Sequence, residues 1–369
     1  MAELGYLNQV ARYNLAYHFK IGKVLPDNIT ISITRACRSA CLTCDCGFDT
    51  RRGLVNVNEE LSLDESLQII DKIDWQLALL TISGGEPMLS PNLEAVALAF
   101  AEQTSVDFVT IPTNALMPDL VLSKVERILE KSRGATRWHI NVSVDGIGEV
   151  HDHVRGVEGN FEKCLKTIDG LMALRNRFPN LRVGVHTVVS NYTVNSVEET
   201  VNYFKRMKID NHIAEIAEER EELGTIGRPI TPIKDYARLT PILKQALENR
   251  EEDKIRRSLR RSYYDLVGEW VREPKRQHVP CMAGVASCHI TEKGYLTSCC
   301  TRWVAKGLIG NLREANYDIK RLWFTETAED LRRRIKNQEC ACPLASAAYS
   351  SMLASPKSLL KIAADHFLS

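Results

Sequence analysis

The chemistry of this chain is concentrated in its sulfur. Eleven cysteines stand at 37, 41, 44 and 46, at 164, at 281, 288, 299 and 300, and at 340 and 342. In a reducing compartment such clustering means metal or redox chemistry rather than a disulfide framework. The first group reads Cys37-Arg38-Ser39-Ala40-Cys41-Leu42-Thr43-Cys44, a C-x₃-C-x₂-C spacing. Three thiolates on one short loop suit three irons of a [4Fe–4S] cube and leave the fourth iron to a non-protein ligand. A structural zinc site would need a fourth ligand, which Cys46 can supply. Cys164 shares a helical face with Phe161, Leu165 and Ile168 and reads as a core residue.

The elements that must position these sulfurs follow from hydrophobic period. Strand patterns cover 29–34, 76–83, 106–114, 137–146, 181–191 and 212–219. Helical patterns cover 61–73, 90–103, 119–132, 160–176 and 194–208, and Ser62 with Glu65 predicts a capping box at the start of the first. Alternating strands and helices mean a parallel sheet with its chemistry at the strand C-terminal ends. Six units are too few for a closed eight-strand barrel, so the expected fold is α/β, a partial (β/α)6 barrel. The first cysteine loop follows the first strand, at the catalytic rim, and this placement favours the cluster over structural zinc. The chain divides into an N-terminal helix (1–27), the barrel (28–220), a charged helical linker read as solvated (221–280), a Cys-rich module (281–345) and a helical tail broken near Pro356 (346–369).

Composition sets the outer limits. The 369 residues carry a formal net charge of +1, with 44% hydrophobic and 26% charged residues, ordinary values for a globular chain. No strong field exists to gather nucleic acid. No apolar run approaches the roughly 18 residues of a membrane span. MAELGYLNQV lacks a basic stretch followed by an apolar core, so the expected location is cytoplasmic.

Ser83-Gly84-Gly85-Glu86-Pro87 follows the second strand, and together with the cysteine spacing it resembles the radical S-adenosylmethionine (radical SAM) superfamily. Thr113-Asn114-Ala115 is similar to the family's T-N-G, and Ser143-Val144-Asp145-Gly146, His151-Asp152 and Arg155-Gly156 to its S-x-D-G…H-D…R-G stretch. The resemblance covers about 28–220. It implies that Cys37, Cys41 and Cys44 hold a [4Fe–4S] cluster whose free iron chelates S-adenosylmethionine. It places Gly84, Gly85 and Glu86 beside the methionine amino group, Asn114 in the cofactor site, Ser143 on the ribose or amino group, and Arg155 on the methionine carboxylate. Relatives carry an aromatic just before the third cysteine where this chain has Thr43, so adenine stacking falls to another residue such as Phe48. One electron from a donor such as flavodoxin or ferredoxin then cleaves the sulfonium, and the 5′-deoxyadenosyl radical abstracts a substrate hydrogen.

Cys281 is followed by twelve residues, Gly294, four residues and Cys299, a pattern that resembles the SPASM and twitch extensions of that superfamily. HITEKGYLTSC would form the hairpin, turning at Glu292-Lys293-Gly294, and Ile309-Gly310-Asn311-Leu312 and Cys340-Ala341-Cys342-Pro343 complete the resemblance. The longer cysteine run of a full SPASM module is absent. The resemblance therefore implies one auxiliary [4Fe–4S] cluster on Cys281, Cys299, Cys340 and Cys342, with Cys288 able to replace one of the last pair; a zinc ribbon is the alternative. Cys300 occupies the position where sulfatase-maturing relatives have an Asp base. A thiol there suggests hydrogen return to a substrate radical, as in redox-neutral epimerisation, beside the plainer reading of a packed small side chain. Glu215, Glu218, Glu219, Arg220 and Glu221 either face the barrel mouth or begin a charged surface loop. The expected function is a radical SAM oxidoreductase or maturase acting on an unknown peptide, sugar or lipid precursor, with an epimerase and a non-catalytic Fe–S or zinc scaffold as alternatives.

Overall fold

The computed structural model describes residues 2–247, 254–301 and 304–368. Six parallel strands appear where the periodicity placed them: β1 (Asn28–Ser32), β2 (Leu79–Ser83), β3 (Phe108–Thr113), β4 (Arg137–Ser143), β5 (Leu181–Val189) and β6 (Asn211–Ile216). Three more follow: β7 (Ser287–Ile290), β8 (Tyr295–Thr297) and β9 (Leu308–Asn311). All nine form one sheet in the order β6-β5-β4-β3-β2-β1-β7-β8-β9. β7 lies parallel to β1, and β8 and β9 return antiparallel. The Cys-rich module is therefore a continuation of the barrel sheet past its first strand.

Residues directly opposite in parallel strands share a face, so register sorts side chains into rows. Cys288, Ile29, Leu80, Val109, Trp138 and Leu181 form one row, which packs with helices Leu63–Asp71, Leu93–Thr104, Pro118–Lys131 and Asn160–Arg177. The next row, on the inner face, is polar: His289, Thr30, Thr81, Thr110, His139 and Arg182. Beside Cys288 the helix-facing row holds five large apolar side chains, each contributing about 1.5–3 kcal/mol on burial. The Ser62–Glu65 capping box forms in full, with Ser62 Oγ accepting from Glu65 N at 3.1 Å and Glu65 Oε2 accepting from Ser62 N at 2.9 Å.

The segment after β6 differs from the solvated linker expected. Tyr236, Leu239, Leu243, Tyr263, Tyr264, Val267 and Val271 are buried against Val189, Val197, Val201 and Ile216 and against Ala345 and Met352 of the tail. Helix Lys254–Arg272 is amphipathic, and its many charges had hidden an apolar face that covers the barrel beside β6. The densest part of that charge run, residues 248–253, lies outside the described residues. The tail forms helices Ala345–Ala354 and Pro356–Leu368, broken where Pro356 was expected to break it. The N-terminal helix Ala2–Phe19 docks through Tyr13, whose hydroxyl donates to Leu25 O at 3.0 Å, and through Asn14, which donates to Ala354 O at 2.6 Å. Among the described residues no helix is long and apolar enough to cross a membrane.

Candidate active site

The loop that leaves β1 carries Cys37, Cys41 and Cys44 into a cavity of about 230 Å³ at the strand C-termini. Three neighbouring segments grip it through its backbone. From the end of β2, Gly85 N donates to Thr34 O (2.7 Å) and Glu86 N to Ala36 O (2.9 Å). From the far side, Arg155 O accepts from Ala40 N and Val154 O from Leu42 N, each at 2.9 Å. The segment after β6 closes the third side: Leu223 O accepts from Asp45 N at 2.8 Å, Glu222 O from Arg35 Nη1 at 2.9 Å, and Arg228 pairs with Asp45.

Gly84, Gly85 and Glu86 line this cavity, and packing adds a second reason for the glycines. A Cβ on Gly84 would stand 2.1 Å from Thr34 O, and one on Gly85 2.4 Å from Arg35 O. Gly84 also has a φ of +136°. At both positions the cysteine loop's own backbone fills the space that a side chain would take. Glu86 is likewise engaged by the protein. Its Oε2 accepts from Asn114 N (2.6 Å) and its Oε1 from Met88 N (3.1 Å) and Thr113 Oγ1 (3.0 Å), tying the end of β2 to that of β3. Burial pushes this carboxyl up to about 7 against those hydrogen bonds.

Each sulfur of the loop has its own N–H neighbour. Asn114 Nδ2 donates to Cys37 Sγ at 3.6 Å and to Ser39 Oγ at 3.0 Å; Arg155 Nη1 donates to Cys41 Sγ at 3.9 Å; Cys46 N donates to Cys44 Sγ at 3.5 Å. Arg155 is ion-paired to the buried Asp145 at 2.8 Å and is itself only 12% exposed. Burial raises the Cys37 thiol to about 12 and the Cys41 thiol to about 11, and a bound metal supplies the positive charge that makes them thiolates. Three cavity-facing sulfurs with N–H donors are a donor set that fits a thiolate-bound cube. Ser143 also lines the cavity; Cys46 and Phe48 do not. The apolar wall is Val188, Ile216, Leu223 and Ile230, which no motif or spacing marks in advance.

The remaining wall is charged. His186 and Glu215 approach to 3.4 Å, and Glu218 and Arg220 to 3.8 Å. Burial raises the Glu215 carboxyl, but His186 and Arg220 outweigh it and hold it below its usual value; burial pushes Glu218 up to about 7. Glu215, Glu218 and Arg220 line the cavity, whereas Glu219 and Glu221 are exposed. Cys300 is buried, does not line this cavity, and packs with Cys281, Cys299 and Cys342.

The fold brings Cys281, Cys299, Cys340 and Cys342 together from β7's approach, β8's exit and the segment before the tail. Cys281, Cys299 and Cys342 pack against one buried cluster of Ala283, Cys300, Leu344 and Ala347. Cys281, Cys340 and Cys342 line one small cavity with Trp270 and Pro343. Cys288 belongs to the helix-facing row and packs in the barrel core, one residue out of phase with the inner face. Among the described residues no three His, Cys, Asp or Glu side chains converge as one metal ion would require. Ligands of a cube sit on different irons and stand further apart.

Comparison with known proteins agrees with this division. The Radical SAM superfamily profile matches residues 31–204, and that of the SPASM iron–sulfur cluster-binding domain matches 281–343. The AdoMet-dependent heme synthase of Methanosarcina barkeri is 25% identical over 325 residues, 84% of each chain. The mycofactocin maturase MftC of Mycolicibacterium smegmatis is 27% identical over 188 residues, 50% of this chain and 43% of that one. The chain thus spans less than half the length of some curated relatives that it matches. Native anSMEcpe with bound AdoMet and Cp18Cys peptide has a similar fold (TM-score 0.55, 15% identity, 92% of this chain and 99% of that one). So does Streptococcus suis SuiB bound to precursor peptide SuiA (TM-score 0.59, 16% identity, 89% and 70%).

Proposed function

We infer, from a chain that joins a radical SAM domain to a SPASM iron–sulfur domain, that this protein is an oxidoreductase or maturase that removes a hydrogen atom from a precursor molecule and then an electron from the resulting radical, which the auxiliary cluster accepts. The two domains imply a [4Fe–4S] cluster, S-adenosylmethionine and an auxiliary cluster. The observation that carries the reading is the first cysteine loop, with three sulfurs in one cavity and a separate N–H on each. Cluster and S-adenosylmethionine together supply a 5′-deoxyadenosyl radical when reduced by one electron.

The chain's own residues position and shield that chemistry. Cys37, Cys41 and Cys44 ligate the cube; Asn114 and Arg155 steady its sulfurs. Ser143 and Arg155 face the cavity where the amino acid part of S-adenosylmethionine would lie, and Arg155 offers its carboxylate a cation. Val188, Ile216, Leu223 and Ile230 exclude water from the reacting centre. His186, Glu215, Glu218 and Arg220 face the substrate. Cys281, Cys299, Cys340 and Cys342 hold the auxiliary cluster. Hydrogen return from Cys300 would need its sulfur in the cavity, and its place outside the cavity favours oxidation over epimerisation. A relative named as a heme synthase and fold neighbours solved with peptides both support a precursor as substrate.

Anaerobic reconstitution tests the reading. The expected result is about eight irons per chain, two [4Fe–4S] cubes, and 5′-deoxyadenosine formed from S-adenosylmethionine plus dithionite. Alanine at Cys37, Cys41 and Cys44 together should halve the iron and abolish the product. Iron without cleavage by the wild type would leave only a scaffold, and about twelve irons would mean a second auxiliary cluster.

A further inference from the structure

Two buried polar side chains beside the cavity, His151 and Asn160, take no part in the mechanism above. Asp145 N donates to His151 Nδ1 at 3.1 Å, and His151 Nε2 meets Asn160 Oδ1 at 3.1 Å. A backbone N–H can only donate, so Nδ1 is the acceptor, the ring proton sits on Nε2, and that nitrogen donates to Asn160. Asn160 Nδ2 in turn donates to Asn114 O at 3.0 Å. At the other end Asp145 Oδ2 pairs with Arg155 Nε at 2.8 Å, and Asp145 Oδ1 accepts from Val188 N at 2.8 Å. One chain of bonds therefore joins Arg155 to the main chain of Asn114, the two residues whose side chains donate to Cys41 Sγ and Cys37 Sγ.

The Asn114 end of this chain needs holding. The next residue, Ala115, has a φ of +54°, in the left-handed region where a Cβ is strained. Asn160 Nδ2 holds the carbonyl of the 114–115 peptide, and Glu86 holds the N–H of Asn114. These two bonds keep the strained turn, and with it the direction of Asn114 Nδ2. Asn160 is itself set in place: it opens helix Asn160–Arg177, and Asp152 accepts on either side of it, from Gly159 N at 2.6 Å and Phe161 N at 2.8 Å. His151 lies on helix Glu149–Arg155, whose last carbonyls grip the first cysteine loop. Cys164 Sγ fills the space beside the chain, 3.6 Å from His151 Nε2 and from Asn160 Nδ2. Burial pushes the imidazole down to about 4, which keeps it in this neutral form.

We propose that His151 and Asn160 are positioning residues for the first cysteine loop: the chain Arg155–Asp145–His151–Asn160–Asn114 aims the two side-chain N–H donors at the sulfurs of Cys41 and Cys37. Neither His151 nor Asn160 lines the cavity, so both act through Asn114 and Arg155. A hydrogen bond to a ligand sulfur favours the reduced, more negative cube, so a donor that drifts away lowers its potential. The inference rests on the ligand set Cys37, Cys41 and Cys44 of the reading above and is independent of the substrate.

The test is a potentiometric titration of the fully reconstituted protein, followed by electron paramagnetic resonance. The barrel signal is the one missing from the triple alanine variant at Cys37, Cys41 and Cys44. Asn160→Ala should disfavour reduction of the barrel cluster about tenfold, a drop of about 59 mV for one electron. Added to Asn114→Ala, it should lower the couple by less than it does alone, because the donor it aims at Cys37 has already gone. Ala115→Gly should restore most of the loss in Asn160→Ala, since glycine takes the left-handed turn without strain. A merely structural role would give additive falls and no rescue. An unchanged couple in Asn160→Ala, a fully additive fall in the double variant, or no rescue by Ala115→Gly would overturn the proposal. If Asn160→Ala does not take up iron, His151→Phe decides: it keeps a ring and loses both bonds, so its couple should fall, and a couple equal to the wild type's overturns the proposal. A wild type that takes up iron and yields no 5′-deoxyadenosine rejects the radical reading, while these couples still judge the positioning.

Discussion

Gly84 and Gly85 show how a residue can be required at a site for a reason its motif does not reveal. As neighbours of S-adenosylmethionine they would tolerate a methyl group at the expense of cofactor affinity. In the fold they meet the carbonyls of Thr34, Arg35 and Ala36, and a Cβ there displaces the loop that carries the cluster ligands. Gly85→Ala should therefore lose the barrel cluster, with iron falling from about eight to about four per chain. A variant that keeps its iron and binds S-adenosylmethionine weakly would return the glycine to the ligand. Asn114 is the milder case. Asn114→Ala should retain iron, because the three cysteines remain, but lose the N–H on Cys37 Sγ. Loss of that donor should shift the barrel cluster to lower potential and slow 5′-deoxyadenosine formation by about tenfold, an outer-shell effect of the usual size.

Single elements here serve two neighbours at once. The capping box of helix Leu63–Asp71 ends in Glu65, whose carboxylate also accepts from Arg313 at 2.7 Å and from Tyr317, joining the barrel to the chain after β9. Arg313 is the main reason that this carboxyl falls to about 2. The segment 217–231 is the more consequential example, since it lines the cavity and is fastened to the first cysteine loop. Gly224 has a φ of +66°, and a Cβ there would meet Asp45 Oδ2 at 2.5 Å, so the segment lies directly on the residue after Cys44. The Asp45–Arg228 pair is partly exposed and should contribute about 0.2–1 kcal/mol. Asp45→Asn should accordingly speed thermolysin cleavage before the exposed Ile226 by up to about fivefold, read from peptide appearance over time. Cleavage at the wild-type rate would mean that the backbone bonds alone hold the segment down.

At the scale of the molecule, the two iron–sulfur regions share one sheet, because β7 pairs with β1 through backbone bonds that need no metal. Cys281→Ala and Cys299→Ala should each lose the auxiliary cluster while cleavage of S-adenosylmethionine without substrate persists; loss of both clusters from either variant would mean that the module folds only around its iron. The sequence by itself determined the six βα units, the capping box, the break at Pro356 and the rim position of Cys37, Cys41 and Cys44. Each depends on residues within a few positions of one another, where period, turn chemistry and spacing act directly. Only the tertiary structure decided that Cys288 faces the helices, because its parity is fixed by pairing with Ile29, far away in the chain. It likewise decided that the charged segment 221–280 has a buried face, that Glu218 and Arg220 point inward while Glu219 and Glu221 do not, and that each cluster sulfur receives an N–H. These outcomes come from contacts between distant segments, and a contact of that kind leaves no period in the sequence on either side.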